Sequence, residues 1–165
     1  MDGARIIERL RDRLGAAIVE THSLRGDHTA VVPRSAIRDA LVFCRTDPEL
    51  AFDMLTDLTA VDYLTFPGRE DGPRFDVVYH LYSIRHNHRV RLKVRMEEDD
   101  AVVPTAVPVW PIANWFEREV WDMFGIRFEN HPDLRRLLMY EEFVGHPLRK
   151  DYPVNRRQPL VGPKT

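Results

Sequence analysis

Cysteine is almost absent from this sequence: Cys44 is the only one in 165 residues. One thiol cannot supply a disulfide framework, a four-cysteine zinc site or a self-contained iron–sulfur cluster. Apolar runs are short as well, and none approaches the ~18–20 residues that span a bilayer, so no direct membrane span is expected. The N-terminal segment mixes Arg5, Glu8, Arg9, Arg11, Asp12 and Arg13 with Ile6, Ile7, Leu10 and Leu14. It lacks the apolar centre of a signal peptide and predicts a cytosolic chain. A glycine-rich phosphate loop, a serine elbow, a Cys-x-x-Cys pair and a zinc-protease helix are all missing, which removes the common catalytic signatures.

What remains has the composition of an ordinary globular domain, with 44% hydrophobic and 30% charged residues. The net charge of −2 argues against nucleic acid as the main partner. That charge is unevenly spread. Residues 1–130 hold 17 Lys+Arg against 22 Asp+Glu, whereas residues 131–165 hold 7 against 4.

Helical spacing of Ile6, Ile7, Leu10 and Leu14, stopped by Gly15, predicts a helix over 3–14. Residues 17–21 and 29–32 read as short strands around a turn at Arg25-Gly26-Asp27. Pro33 and Ser35 open a second helix whose apolar stripe, Ile37, Ala40, Leu41 and Cys44, makes the thiol a packing group. Residues 58–64, 75–84 and 90–96 are rich in β-branched and aromatic residues, the last two forming a hairpin around 85–88. The 90–96 strand alternates strictly, with Val90, Leu92, Val94 and Met96 on one face and Arg89, Arg91, Lys93 and Arg95 on the other. The cationic row reads as a solvated or partner-facing surface in preference to a phosphate stripe, since no aromatic residue interleaves to stack bases. His86 and His88 make at most a weak metal pair, and packing is the expectation for both.

A third helix is predicted from Pro111 to Phe124, with Gly125 as its stop. Ile112, Trp115, Phe116, Val120 and Met123 define its apolar face, which places Glu119 in the middle of that face. A carboxylate there needs a cation or hydrogen-bond donors; Arg135 and Arg136 are the expected partners within the chain and a donor on another protein is the alternative, so Glu119 is predicted to anchor the following segment to the core. From Arg127 onward Pro132, Pro147, Pro153, Pro159 and Pro163 recur. This basic, proline-punctuated tail is too apolar for a linker and is expected to lie on a surface.

The run from Ala113 to Pro153 resembles the signature block of the C subunit of proton-translocating NADH:quinone oxidoreductase, respiratory complex I, which is the thirty-kilodalton subunit of mitochondria. It contains Glu117-Arg118-Glu119, Trp121-Asp122-Met123-Phe124-Gly125-Ile126, His131-Pro132-Asp133-Leu134-Arg135-Arg136 and the stretch Gly145-His146-Pro147-Leu148-Arg149-Lys150-Asp151-Tyr152-Pro153. A weaker likeness extends upstream through residues 57–63 and 79–83. The resemblance implies an α+β, two-layer domain of helices packed on a mixed β-sheet over residues 1–128, with an extended tail over 129–165 docking on a partner subunit. It further implies a structural and assembly role in the peripheral arm beside the large D subunit, which helps form the quinone site, at the cytoplasmic face of a bacterial inner membrane. No catalytic, cofactor or metal site is expected in the chain itself, because FMN, iron–sulfur centres and quinone belong to other subunits. The positions carried by the likeness are Glu117, Arg118, Glu119, Asp122, Gly125, His131, Asp133, Arg135, Arg136, His146, Arg149, Lys150 and Asp151. Arg135, Arg136, Arg149 and Lys150 are the expected interface cations, with Leu148 and Tyr152 as apolar anchors. The alternative is the homologous subunit of an energy-converting hydrogenase or a ferredoxin-dependent quinone reductase.

Overall fold

The structure is a computed structural model that describes residues 2–158 and 161–162. Pro159 and Pro163 therefore lie outside the described residues. Helix α1 spans Gly3–Leu14 and is followed by a 3-10 turn, Gly15–Ala17. Strands β1 (Glu20–Leu24) and β2 (Asp27–Val31) form the first hairpin, and helix α2 covers Arg34–Thr46. Three long strands follow, β3 (Met54–Asp62), β4 (Phe75–Ser83) and β5 (His88–Met96). A short β6 (Val102–Pro104), helix α3 (Ala113–Phe124) and β7 (Arg127–Glu129) complete the regular elements.

The main sheet has the order β1-β2-β5-β4-β3. It is antiparallel throughout except where β2 joins β5 in parallel, with Thr29 opposite Arg91. The architecture is thus α+β with a mixed sheet. Period-two alternation sorts the strand side chains. Phe75, Val77, Tyr79 and Leu81 of β4 and Val90, Leu92, Val94 and Met96 of β5 join buried residues of all three helices in one core. Burying each such Leu, Ile, Val or Phe contributes about 1.5–3 kcal/mol.

The opposite face is polar, and its cationic row is neutralised within the sheet. Arg89 and Arg91 share Asp27 at 2.7 and 3.5 Å, Arg95 pairs with Glu20 at 2.8 Å, and Lys93 reaches Asp76 at 3.4 Å. These carboxylates sit on β1, β2 and β4, so the row binds the sheet together and leaves little charge for a phosphate backbone. His86 and His88 turn their Nε2 atoms to the carbonyls of Pro48 and Leu50, at 3.0 and 2.7 Å. Among the described residues no group of three His, Cys, Asp or Glu could hold a metal ion. Cys44 is buried, and that burial pushes its thiol up.

Two departures from the sequence pattern matter here. The proline-spaced stretch before α3 contributes β6, which pairs in parallel with β7 just beyond α3. Residues 130–158 then return over α3 and the end of the sheet as a strap without helix or strand.

Candidate functional site

The buried carboxylates of helix α3 are Glu117 and Asp122, not Glu119, and it is Asp122 that fixes the strap. The expectation for Glu119 is corrected by the structure: its side chain is exposed, and so are Ile112 and Trp115, which the apolar periodicity assigns to the buried face. The helix turns Ala113, Val120, Phe124 and the two acids inward instead.

Asp122 collects four donors. Its Oδ1 accepts from Arg136 Nη1 at 2.6 Å, and its Oδ2 accepts from the consecutive backbone N–H groups of Leu137, Leu138 and Met139 at 3.0, 2.8 and 2.9 Å. Burial would raise this carboxyl. The Met139 amide, Arg136 and the other two amides outweigh that and hold it below the usual aspartate range. Arg136 spends its remaining fork on the carbonyls of Phe143 and Gly145, at 2.8 and 3.1 Å. Arg118, also buried, donates to the Arg135 and Arg136 carbonyls from Nε and Nη2, at 3.2 and 3.0 Å. A carboxylate and two guanidiniums thus satisfy the backbone of a segment that has no sheet or helix partners of its own.

The strap crosses the end of α3 at Gly125, which caps the helix in the left-handed region at φ 77°. A Cβ there would come within 2.6 Å of His146 Cδ2, so glycine is required both for its conformation and for the crossing. His146 Nδ1 donates to the Asp122 carbonyl at 3.0 Å, and Arg149 Nε donates to the Phe124 carbonyl at 2.6 Å. Leu148 N–H reaches the Met123 carbonyl at 3.0 Å.

A third anchor holds the far end. Arg74, buried at the start of β4, donates to Asp62 from Nε and Nη2 at 3.1 and 2.9 Å, to Glu98 at 2.6 Å, and to Asp151 of the strap at 2.7 Å. Asp62 also accepts Lys150 N–H at 2.8 Å, and Arg149 completes the cluster on Glu98 at 3.2 Å. Burial opposes ionisation of Asp62, but Arg74 and the Lys150 and Leu64 amides overcome it and lower its pKa.

Glu117 differs from these saturated groups. Thr105 Oγ1 donates to its Oε2 at 2.5 Å and Ala106 N–H to its Oε1 at 2.6 Å, yet no cation reaches hydrogen-bond distance. Burial pushes its pKa up to about 7 against those two donors. His131 Nε2 lies 3.9 Å away and faces the Asn114 carbonyl at 3.2 Å, while its Nδ1 accepts Asp133 N–H at 3.0 Å. Accepting that N–H assigns the neutral Nε2–H tautomer to His131, in keeping with the lowering that burial imposes on it.

The sequence-derived positions therefore separate into two groups. Glu117, Arg118, Asp122, Gly125, His131, Arg136, His146 and Arg149 converge on α3 and the strap that crosses it, while Lys150 and Asp151 meet the Asp62–Arg74 anchor at the end of the sheet. Glu119 is exposed, and Asp133 and Arg135 form an exposed ion pair at 2.8 Å. Arg74, Asp62 and Glu98 join the site without a sequence signal strong enough to single them out. Asp62 lies within the weaker upstream likeness, Glu98 within an acidic run that reads only as charge, and a lone Arg74 before a strand gives no signal.

Asp122 and Asp62 are enclosed and satisfied by donors that bind the strap, so the seam is built as a clamp. Residues 30–158 match the family model described as respiratory-chain NADH dehydrogenase, 30 Kd subunit. The chain belongs to that family. A relative in Geobacter sulfurreducens, named as the C subunit of NADH-quinone oxidoreductase, is 44% identical over 160 residues, covering 96% of this chain and 95% of that one. Relatives of the same name in Acidithiobacillus ferrooxidans and Burkholderia multivorans are 46% and 48% identical, covering 89% and 88% of this chain and 73% and 74% of theirs. Among solved structures, the trypsin-resistant fragment (1-134) of Nqo5 is 36% identical, with a TM-score of 0.68 over 81% of this chain and all of that one. A chain from the membrane-bound sulfane sulfur reductase, an archaeal respiratory membrane complex, is 25% identical with a TM-score of 0.75 over 94% of this chain and 88% of that one.

Proposed function

We propose that this chain is the C subunit of an NADH-quinone oxidoreductase and serves it as a structural and assembly element. Electrons pass from NADH through FMN and iron–sulfur centres to quinone in other subunits, and the chain itself takes no cofactor. Its place is the peripheral arm, beside the large D subunit of the quinone site, at the cytoplasmic face of the membrane. No helix of the described residues is long and apolar enough to cross a membrane, and attachment through partner subunits is part of this reading.

The observation that carries this reading is the use of the family's residues. Asp122, Arg118, Arg136 and Arg149 are spent on carboxylates and on the backbone of the strap and of α3, where they fix shape, and that use supports a structural role. A second reading, as part of a related membrane complex with another electron donor, draws on the likeness to the sulfane sulfur reductase. Affinity purification of the tagged chain from its own membranes separates the two. Companion subunits that bind NADH and FMN are expected; a set without them overturns the first reading.

A further inference from the structure

Glu117 and His131 stand apart from the clamp, because neither meets an opposite charge among the described residues. Both side chains are fully enclosed, and Glu117 Oε2 lies 3.9 Å from His131 Nε2. The ring joins three parts of the chain. Its Nε2 faces the Asn114 carbonyl in the first turn of α3 at 3.2 Å, and its Nδ1 accepts the Asp133 N–H of the strap at 3.0 Å. Because Nδ1 is taken as an acceptor, the ring holds one proton and offers Glu117 no positive charge. The surrounding elements supply none either. Tyr79 of β4 is buried, and its hydroxyl finds no partner among the described residues. Arg118 is turned to the Arg135 and Arg136 carbonyls, Asp133 is tied to Arg135 at the surface, and Arg127 and Glu129 of β7 are exposed. Strand β3, which packs on α3, gives Leu58 and Ala60 to the core and keeps its Asp62 on Arg74. Thr105 suits both states of the acid, since a hydroxyl donates to a carboxylate and accepts from a carboxyl.

We propose that His131 is the moving part of a proton-sensitive switch: when Glu117 loses its proton, the His131 Nε2–H leaves the Asn114 carbonyl for Glu117 Oε2, and the first turn of the strap follows. A buried carboxylate with two donors and no cation gains a further donor or stays protonated. The Nε2–H is poised to be that donor. Closing 3.9 Å to the roughly 2.7–2.9 Å of a charge-assisted bond moves Nε2 by about 1 Å. The ring is rigid, so Nδ1 shifts as well, and the Asp133 N–H either loses its acceptor or travels with it. A hollow of about 410 Å³ beside Val102, Phe128, Asn130 and Leu134 gives this turn room to move. The Glu117 proton goes to solvent and the ring keeps its own, so the change exchanges one hydrogen bond for another. The switch lies ahead of the Arg118 and Asp122 anchors, and it works on the entry of the strap while the clamp stays closed.

The test is an NMR titration of the full-length chain, with isotope labels on the histidine ring nitrogens and glutamate carboxyl carbons, from about pH 5 to about pH 9, a range that brackets the free histidine value. Through-bond spectra of the wild type assign the Glu117 carboxyl, the His131 ring and the Asp133 amide. As the carboxyl ionises, around its pKa of about 7, the His131 Nε2 proton is expected to move downfield while Nδ1 stays unprotonated. Exchange protection of the Asp133 amide should change over the same interval. In Glu117→Gln both readings are expected to be flat there. A His131 ring that responds alike in the two proteins overturns the switch. So does a ring that stays still while Glu117 ionises, the result expected if the Tyr79 hydroxyl is the donor instead. A second proton on the ring beside an ionised Glu117 also overturns it, because the two groups are then an ion pair. The last two outcomes are read from the wild type alone and do not depend on the variant folding.

Discussion

Arg136 and Asp122 meet at 2.6 Å with side chains 14% and 0% exposed, joining the strap to the helix it crosses. The pair is more than an ion pair, since the same carboxylate organises three consecutive amides of the strap. Removing the carboxylate strands a guanidinium and those N–H groups together. Asp122→Ala is expected to destabilise the protein by about 3–5 kcal/mol, measured by urea unfolding. Trypsin is then expected to cut after Arg136 faster than it does in the wild type.

Gly125 offers a sharper test of the crossing. Gly125→Ala places a β-carbon in the left-handed region, at about 1–2 kcal/mol, and drives it against His146. Gly125→Asn relieves the first problem and not the second, because asparagine tolerates the backbone but still brings a Cβ. Both variants are expected to raise hydrogen exchange at residues 146–149; an asparagine variant with wild-type protection would show that the crossing tolerates a side chain.

Glu117 gives a pH signature. Its folded pKa of about 7 stands above the ordinary 4.5, so the folded state holds an extra proton between those values. Stability from this group is full below the lower value and is lost as pH rises through the window, by about 3 kcal/mol in all. His131 and His146, with pKa values lowered mainly by burial, act in the opposite sense below 6.5. The difference between wild type and Glu117→Gln therefore isolates the glutamate. Plotted against pH, that difference should fall between about 4.5 and about 7 and flatten above; a level difference across the window would remove Glu117 as a buried proton site.

Arg74→Lys keeps one positive charge but cannot fork to Asp62, Glu98 and Asp151 at once. A loss of about 1.5–3 kcal/mol is expected. Exchange protection should fall at residues 148–152 while β3–β5 stays protected. Equal loss across the sheet would mean that Arg74 serves the core and not the strap.

Much of the fold is legible in the sequence because its elements follow simple periods. The α1 helix matches its predicted bounds, and the alternation over residues 90–96 names both faces of β5. Helix α3 misleads because its pattern reads as if solvent lay opposite the apolar residues. In fact the strap covers Asp122 and the segment before the helix takes Glu117 through Thr105 and Ala106, while Trp115 and Ile112 stay outside. A carboxylate reads as surface until something folds over it, and the thing that folds over this one has no periodicity to announce it. The parallel joining of β2 to β5 and the β6–β7 pair are equally silent, since both are set by tertiary placement and not by local pattern.

The strand order also dictates a schedule. The first hairpin to leave the ribosome cannot take its place in the sheet until β5 exists, because β2 has no other partner on its inner edge. Closure over so long a stretch of chain is slow, and it leaves an open strand edge during synthesis. The strap is made after every strand of the main sheet, so its ionic anchors fasten onto a sheet already complete. Ordering of the strap therefore comes later in synthesis than closure of the sheet, and it depends on that closure for the carboxylates and carbonyls it fastens to.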